Sequence, residues 1–271
     1  MRNPFAEAFS AYERPCRIEA AQRLRPNDSS QTWQRIYLQS GNLPIRHISH
    51  CFPDSFNEID VRREHAAKFN HCLHWPDPIP AKATDLVTLL QAVLALPTHD
   101  NDCELSLALD WYKDFTEEGE PVNSEVGELV RRAKYFKYSP HIMSAAQAQL
   151  AGRLADVVRR HPALDQAPYL VSVPGSKGDG RSAGERIAGM LADLTSKDLV
   201  KTVGQSRPER KEDQSCKLEG LFKLPAPLDG PCVIVDDVCR SGTTLREIAL
   251  LAKNAGAPTV YALVGARTRR N

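Results

Sequence analysis

The chain has 271 residues, which suffices for one large α/β domain with an extension or for two modest domains. Its 35 lysines and arginines nearly balance its 34 aspartates and glutamates, so no net positive charge indicates binding to nucleic acid. The apolar runs are too short to span a membrane, the N-terminus lacks the apolar core of a signal peptide, and the seven cysteines form no tight framework, so we expect a cytoplasmic protein with reduced thiols.

Residues 1–100 are expected to form an N-terminal extension of mixed or irregular structure with helices. Most of this stretch is polar, and residues 56–69 have spacing that predicts a helix. A clearer apolar pattern predicts a second helix over about 84–96, which stops before Pro97. We therefore place the main domain at residues 101–271.

The extension is also rich in histidine. Five of the chain's eight histidines lie between positions 47 and 74, and two of them directly precede a cysteine. Histidine and cysteine are zinc ligands, but this spacing fits no standard zinc finger, and polar loops often collect histidines. A zinc site and a metal-free polar segment are therefore both open. The zinc site would use His47, Cys51, Cys72 and His74.

The main domain alternates apolar strands with helices. Strands are expected at about 103–115, 169–174, 199–203, 232–237 and 259–266. Helices are expected at about 123–136, 140–161, 185–194 and 244–257, the first of them after a Ser124 cap. Continuous apolar strands separated by helices indicate an α/β fold with a central parallel sheet and helices on both faces. In such a sheet, ligands bind beyond the carboxyl ends of the strands.

One strand of this sheet ends in two neighbouring acids, Asp236 and Asp237, and a loop of small and hydroxylated residues follows at 239–244. The loop leads into a helix N-terminus, where free backbone N–H groups and the positive end of the helix dipole bind phosphate. Gly242 permits close approach of the backbone to a ligand. Two acids beside a phosphate site suit a ribose 5-phosphate, because the acids accept hydrogen bonds from two ribose hydroxyls and help to hold Mg²⁺.

Two other nucleotide-binding patterns fit this sequence less well. A Walker B strand also ends in acids, but no G-x-x-x-x-G-K-[ST] loop precedes this one. Gly178, Gly180 and Gly184 follow a strand and loosely match a dinucleotide-binding fingerprint. The next strand, at 199–203, does not end in the acid that would bind a ribose in that fold.

The apolar run, acid pair and Thr/Ser/Gly loop of residues 233–245 resemble the 5-phosphoribosyl-1-pyrophosphate (PRPP) signature of type I phosphoribosyltransferases. The resemblance covers about residues 105–271 and is closest to the ComF-type (competence-associated) branch, with a basic helix that ends in Lys134-Tyr135 and a closing strand that ends in Ala266-Arg267. It implies the type I phosphoribosyltransferase fold, PRPP binding with Mg²⁺, and transfer of the phosphoribosyl group to an N-nucleophile with release of pyrophosphate.

The resemblance also implies roles for individual residues. Asp236 and Asp237 would orient the ribose and hold Mg²⁺, and one of them could take a proton from an incoming amine. The 5-phosphate loop would consist of Val238, Cys239, Arg240, Ser241, Gly242, Thr243 and Thr244. The pyrophosphate loop would consist of Pro174, Gly175, Ser176, Lys177 and Gly178, with Lys177 or Arg181 adding charge. Arg207, Arg210 or Lys211 would close as a lid, unless their segment is simply a solvated charged loop.

We further expect the two acids to have no structural partner in the absence of ligand, so that their charges repel each other. A non-catalytic alternative stays open, in which the site senses PRPP or a nucleoside monophosphate and signals to a protein partner through the N-terminal extension. Such a protein would serve DNA uptake or a retron or other anti-phage defence system, whereas an enzyme would serve nucleotide metabolism. The resemblance leaves the acceptor undefined and a homodimer open.

Overall fold

A computed structural model describes the chain at residues 14, 17–25, 28–98, 101–135, 138–206, 218 and 220–269. The described residues form two compact units. One lies within Met1–Ala95 and Arg160–Ala163, and the other lies within Leu96–Arg159 and Leu164–Asn271. Within the described part of the chain, every helix is too short or too polar to cross a membrane.

The first unit contains an antiparallel sheet in the strand order β1-β2-β4-β3. Its strands are β1 (Arg17–Arg25), β2 (Asp28–Gln39), β3 (Asn57–Ile59) and β4 (His71–Trp75). Its other elements are α1 (Asn42–Cys51), α2 (Ala81–Ala92) and the short strand β5 (Leu94–Ala95). The polar composition of this region did not indicate a sheet, because the strand pairing here is set by long-range contacts rather than by local alternation.

The helix expected at residues 56–69 is wrong. Asn57–Ile59 is the strand β3, which pairs with β4, and turns follow at 63–68. Phe56, at the start of that stretch, packs its ring 4.7 Å from that of Trp75 on β4. The helical spacing was therefore overridden by pairing and packing against β4. The second expected helix is confirmed, but it runs over Ala81–Ala92 and ends where Val93 becomes extended.

The second unit contains the expected parallel sheet, with strands in the order β10-β9-β13-β14-β6. In chain order the elements from Leu105 onward are β6 (Leu105–Trp111), β7 (Lys113–Phe115), β8 (Pro121–Asn123), α3 (Glu125–Lys134), α4 (Pro140–Arg160), α5 (Pro162–Gln166), β9 (Tyr169–Ser172), α6 (Ala183–Thr195), β10 (Asp198–Lys201), β11 (Val203–Gly204), β12 (Phe222–Lys223), β13 (Cys232–Cys239), α7 (Thr243–Asn254) and β14 (Val260–Arg267). The α/β class is thus confirmed. Two small antiparallel pairs, β7 with β8 and β11 with β12, lie outside the central sheet.

The central strands are buried on both faces. Four consecutive residues of β13, Cys232 to Val235, are fully buried, and consecutive side chains on a strand point to opposite faces. Serine side chains cap two helices of this unit, including the predicted cap at Ser124. The hydroxyl of Ser124 accepts the N–H of Gly127 at the start of α3, and Ser182 forms a capping box with Glu185 at the start of α6.

Helices lie on both faces of this sheet at its carboxyl edge. Asp236 and Asp237 are consecutive on β13, so their side chains point to opposite faces. On one face, Gly184 of α6 lies so close that a Cβ there would be 3.0 Å from Oδ1 of Asp236. On the other face, Lys134 of α3 bonds to Asp237. The expected arrangement of helices on both faces is therefore confirmed.

Candidate functional site at the carboxyl edge of the central sheet

Two loops that the sequence singles out meet at one edge of the sheet. Ser172, the last residue of β9, pairs in parallel register with Val235 of β13, and the N–H of Val173 donates to the carbonyl of Val235 at 3.2 Å. The acid pair follows Val235 directly, and the loop that begins at Pro174 follows Val173. The structure therefore brings the predicted pyrophosphate loop and the two acids together at the carboxyl edge.

The acid pair is largely removed from solvent. Asp237 is 5% exposed, Asp236 is half-buried, and the backbone N–H of Asp237 donates to Oδ1 of Asp236 at 2.8 Å. Burial and the neighbouring charge of Asp237 raise the pKa of the Asp236 carboxyl, and the charge of Lys134 offsets part of that rise. The two acids therefore differ in environment although they are adjacent in sequence.

The expectation that the two acids have no structural partner is wrong, because Lys134 forms an ion pair with Asp237. Its Nζ lies 3.0 Å from Oδ2 and 3.2 Å from Oδ1 of Asp237, so the ammonium group contacts both carboxylate oxygens. The charge of Asp237 raises the pKa of Lys134, against the opposing effect of burial. The sequence does place Lys134 at the end of a helix that resembles the ComF-type pattern, but the two residues are 103 positions apart, and no local pattern encodes their pairing.

The predicted 5-phosphate loop connects β13 to α7 and opens the N-terminus of that helix. Gly242 is the N-cap residue and has a φ of +80°, a conformation that favours glycine. Gly242 supplies no side-chain cap, and the N–H of Thr243 donates to the hydroxyl of Ser241 at 3.4 Å. The hydroxyls of Ser241 and Thr243 also bond to each other at 2.9 Å. A helix start whose N-cap residue has no side chain, bordered by hydroxyls, is suited to an anion.

The remaining residues of that loop differ in exposure. Arg240 is exposed, Val238 and Thr244 are half-buried, and Cys239 is 2% exposed. Nη1 of Arg267 donates to the sulfur of Cys239 at 2.8 Å, and burial raises the pKa of this thiol. A buried, protonated thiol is a poor nucleophile, so Cys239 acts here as a packing residue that fixes Arg267.

The predicted pyrophosphate loop is a tight turn that depends on glycine. The N–H of Gly178 donates to the carbonyl of Gly175 at 3.1 Å, and the N–H of Gly175 donates to Oε2 of Glu185 at 3.3 Å. A Cβ on Gly178 would lie 2.3 Å from the carbonyl oxygen of Gly204, and the φ of Gly178 is +64°. The side chain of Lys177 extends into solvent from the tip of this turn. Pro174 is buried and Ser176 is half-buried.

The remaining predicted site residues are the lid residues and Arg181. The lid residues Arg207, Arg210 and Lys211 lie outside the described residues. Arg181 is exposed in the segment that leads into α6.

The zinc hypothesis gains no support from the first unit. Nδ1 of His47 lies 2.9 Å from Nε2 of His161, and the sulfur of Cys51 lies 3.9 Å from Nδ1 of His161. Burial lowers the pKa of His161 to about 3 and raises that of Cys51 to about 11, so both groups are neutral. Among the described residues, no three His, Cys, Asp or Glu side chains are grouped so that they could hold a metal ion.

The acid pair fits Mg²⁺ only as a partial ligand set. It supplies carboxylate oxygens, which Mg²⁺ prefers, but Asp237 is bound by Lys134 and Oδ1 of Asp236 already accepts a backbone N–H. Mg²⁺ in nucleotide sites is usually held by one or two carboxylates together with water and substrate phosphates. The residues therefore fit a metal that arrives with a phosphorylated substrate rather than one held by protein alone.

Comparison with known proteins gives similarity over about half of the chain. No family model matches. The chain is 34% identical over 143 residues to the orotate phosphoribosyltransferase of Cellvibrio japonicus, which is 51% of this chain and 62% of that relative. It is 30% identical over 134 residues to the orotate phosphoribosyltransferase of Saccharophagus degradans, which is 49% of this chain and 60% of that relative. The matches thus span about three fifths of the curated relatives.

Among solved structures, orotate phosphoribosyltransferase from Aeropyrum pernix aligns with a TM-score of 0.33 at 22% identity, over 56% of this chain and 71% of that chain. A purine phosphoribosyltransferase from Pyrococcus horikoshii aligns with a TM-score of 0.27 at 14% identity, over 45% of this chain and 87% of that chain.

Proposed function

We propose that this chain is a type I phosphoribosyltransferase that binds PRPP with Mg²⁺ at the carboxyl edge of its central sheet and transfers the phosphoribosyl group to a nitrogen nucleophile, releasing pyrophosphate. The observation that carries the proposal is the acid pair at the end of β13, followed at once by Gly242 and the open start of α7. The sequence similarity to two proteins named orotate phosphoribosyltransferase supports it.

The 5-phosphate of the substrate would bind at the start of α7. The N-cap residue Gly242 offers no side chain to the first backbone N–H groups of this helix, and its positive φ lets the backbone approach a ligand closely. The N–H of Thr243, which now donates to the Ser241 hydroxyl, would donate to the phosphate instead. The hydroxyls of Ser241 and Thr243, which now bond to each other, would turn to the phosphate oxygens. Arg240 is exposed beside them and adds positive charge.

The ribose would lie over Asp236 and Asp237, whose oxygens accept hydrogen bonds from its two hydroxyls. Lys134 contacts both carboxylate oxygens of Asp237 and so fixes the orientation in which this acid would meet the ribose. Asp236 has the raised pKa, so its affinity for a proton lies closer to that of an incoming amine. Once it has lost its own proton, Asp236 is suited to take the proton that the acceptor nitrogen loses when its bond to the anomeric carbon forms.

Pyrophosphate would leave toward the turn of residues 174–178, on the β9 side of the acids. The exposed ammonium of Lys177 would attract the leaving group, and backbone N–H groups of this turn would bind it. When bound, Mg²⁺ would neutralise part of the charge on the pyrophosphate. Catalysis in this arrangement comes from positioning and electrostatics rather than from a covalent intermediate.

The names of the relatives make orotate the first acceptor to test. The experiment is calorimetric titration with PRPP and Mg²⁺, followed by a coupled assay for pyrophosphate release with orotate. Thermal shifts with PRPP and with NAD provide a second measure, because a ligand stabilises only the state that binds it. A larger shift with NAD than with PRPP would contradict the proposal.

The matched variants for this test are Asp237→Asn and Arg246→Gln. The first removes the charge that Lys134 holds, and PRPP affinity should fall by about ten-fold or more, the effect of one charge-assisted hydrogen bond. The second removes a charge at an exposed ion pair with Asp102, which precedes the amino end of β6, and should leave PRPP affinity unchanged. Equal PRPP affinity of the parent and Asp237→Asn would refute the ribose-binding role of the acids.

A further inference from the structure

Lys134 occupies the two oxygens of Asp237 that a metal ion would need. Its Nζ lies 3.0 Å from Oδ2 and 3.2 Å from Oδ1 of that acid. A divalent cation such as Mg²⁺ binds a carboxylate through these same oxygens. The ammonium group and a divalent cation therefore compete for one acid.

The backbone that carries Lys134 is fixed on the sheet by close packing. Gly127 of α3 lies so near the strand β6 that a Cβ on it would overlap the carbonyl oxygen of Tyr112. At the other end of the helix, Gln147 of α4 is 2% exposed, and its Nε2 donates to the carbonyl of Ala133 at 2.9 Å. The neighbouring residue is Lys134, so its backbone cannot move away from the site while these contacts hold. The ion pair is thus built into the packing of α3 and is not a chance contact of two mobile side chains.

The two partners differ in exposure, and this difference lets the pair open. The side chain of Asp237 is 7% exposed, whereas that of Lys134 is 45% exposed. Lys134 also lies in the last turn of α3, where the negative end of the helix dipole stabilises a cation. A displaced ammonium group can therefore turn into water at the helix end. The buried carboxylate has no such alternative and needs a cation beside it at all times.

The charge of Lys134 acts on both acids. Burial and the charge of Asp237 raise the pKa of Asp236, and Lys134 opposes that rise. The charge of Asp237 raises the pKa of Lys134, and the charge of Asp236 adds to this effect. One ammonium group thus neutralises much of the charge of the acid pair, which leaves little attraction for a second cation.

We infer that Lys134 is the resident counter-ion of the acid pair, which keeps a divalent cation out of the empty site and yields Asp237 only when a phosphorylated substrate is bound. The inference rests on the proposed function, since that function supplies the substrate. The phosphate groups bring the negative charge that the neutralised acid pair lacks. Lys134 is a positioning residue in this scheme, because it acts through Asp237 and not on the reacting atoms.

The test measures how tightly a divalent cation binds to the protein without substrate. Mn²⁺ is the probe, because it takes the same oxygen ligands as Mg²⁺ and its free concentration is read by electron paramagnetic resonance. An opposite charge beside a carboxylate changes the affinity of that acid for a proton by about ten- to a thousand-fold, and a divalent cation should be affected at least as much. We therefore expect Lys134→Met to bind Mn²⁺ at least about ten-fold more tightly than the parent does.

Three further variants locate the effect. Asp237→Asn in the Lys134→Met background should return the Mn²⁺ affinity to the parent's value, because the gained site uses that carboxylate. Arg246→Gln removes a cation from an exposed pair with Asp102, so it is the matched control and should keep the parent's affinity. If Lys134→Met folds poorly, Lys134→Gln keeps a hydrogen-bond donor for Asp237, removes the charge and should show the same gain.

The second readout is the dependence of metal binding on PRPP. The factor by which PRPP raises the Mn²⁺ affinity of the protein is measured after correction for the Mn²⁺ that free PRPP binds. This factor should be larger for the parent than for Lys134→Met, since the variant binds the metal without help. A lysine that served only the fold would not produce a gain of metal binding when it is removed.

Every other outcome overturns a defined statement. If the parent and Lys134→Met bind Mn²⁺ equally, Lys134 does not exclude a metal and the inference fails while the proposed function stands. The inference fails in the same way if the gain survives Asp237→Asn, because the metal then lies elsewhere, or if Arg246→Gln shows an equal gain, because the cause is then net charge. A parent that does not bind PRPP, with or without Mn²⁺, overturns the proposed function and the role of Lys134 in it.

Discussion

Replacing Lys134 with methionine should destabilise the folded protein, because it leaves the carboxylate of Asp237 buried without its counter-charge. The side chain of Asp237 is 7% exposed, whereas that of Lys134 is 45% exposed. Breaking a fully buried ion pair costs about 3–5 kcal/mol, while an exposed pair contributes about 0–1 kcal/mol. The mixed burial of this pair places the cost between these limits, at about 1–3 kcal/mol. For a chain of this size, that corresponds to a fall of roughly 3–10 °C in Tm.

A double-substitution cycle separates the charge effect from lost packing. Asp237→Asn in the Lys134→Met background removes the uncompensated charge, so the double variant should be more stable than Lys134→Met alone. Calorimetric melting of the four proteins at neutral pH measures this effect.

Two results would refute this reasoning. If Lys134→Met melts at the same temperature as the parent at neutral pH, the ion pair contributes nothing. If Asp237→Asn lowers the stability of Lys134→Met further, Asp237 is stabilised by contacts other than charge. Arg246→Gln serves as the control, since it removes a cation from an exposed pair and should lower the stability by less than about 1 kcal/mol.

Three further predictions concern other parts of the chain. The raised pKa of Asp236 means that the native state holds a proton that the unfolded state has lost, so stability without ligand should fall as the pH rises from the ordinary aspartate range through the raised value. Asp236→Asn should flatten that slope in pH-dependent melting, and an unchanged slope would contradict the prediction. Gly178→Ala should destabilise the folded protein more than Gly180→Ala does, because both glycines have positive φ but only a Cβ at 178 would meet a backbone oxygen, at 2.3 Å, and it alone should weaken pyrophosphate binding. Equal losses of stability, of about 1 kcal/mol, would mean that only the backbone strain matters. Burial lowers the pKa of His161 to about 3, so on acidification the unfolded state binds a proton first, and stability should fall as the pH drops below about 6.5. His161→Gln should reduce this loss of stability in acid unfolding, and an identical acid midpoint would exclude His161 as the cause of the loss.

The sequence predicts the parallel sheet well because its strands are short, continuous and apolar. Cys232 to Val235 is such a run, and burial on both faces requires it. The antiparallel sheet of the first unit was not predicted, because its strands carry polar residues and depend on partners far away in sequence. Glu58 on β3, for example, pairs with Leu73 on β4, and its carboxylate lies 2.6 Å from Nδ1 of His71. His71, one of the two histidines that directly precede a cysteine, is thus engaged by a carboxylate of the neighbouring strand.

For the candidate site, too, the sequence predicts the local features and not the long-range contacts. The order of acids, glycine and hydroxyls between β13 and α7 is local, so the amino-acid sequence alone indicates it. The residues that contact the two acids come from distant parts of the sequence. Lys134 reaches Asp237 from α3, and Gly184 of α6 lies against Asp236 on the other face. Two adjacent aspartates thus meet two different helices because strand side chains alternate in direction. That alternation gives one acid a counter-charge and the other a raised pKa, and so gives two identical residue types different chemical roles.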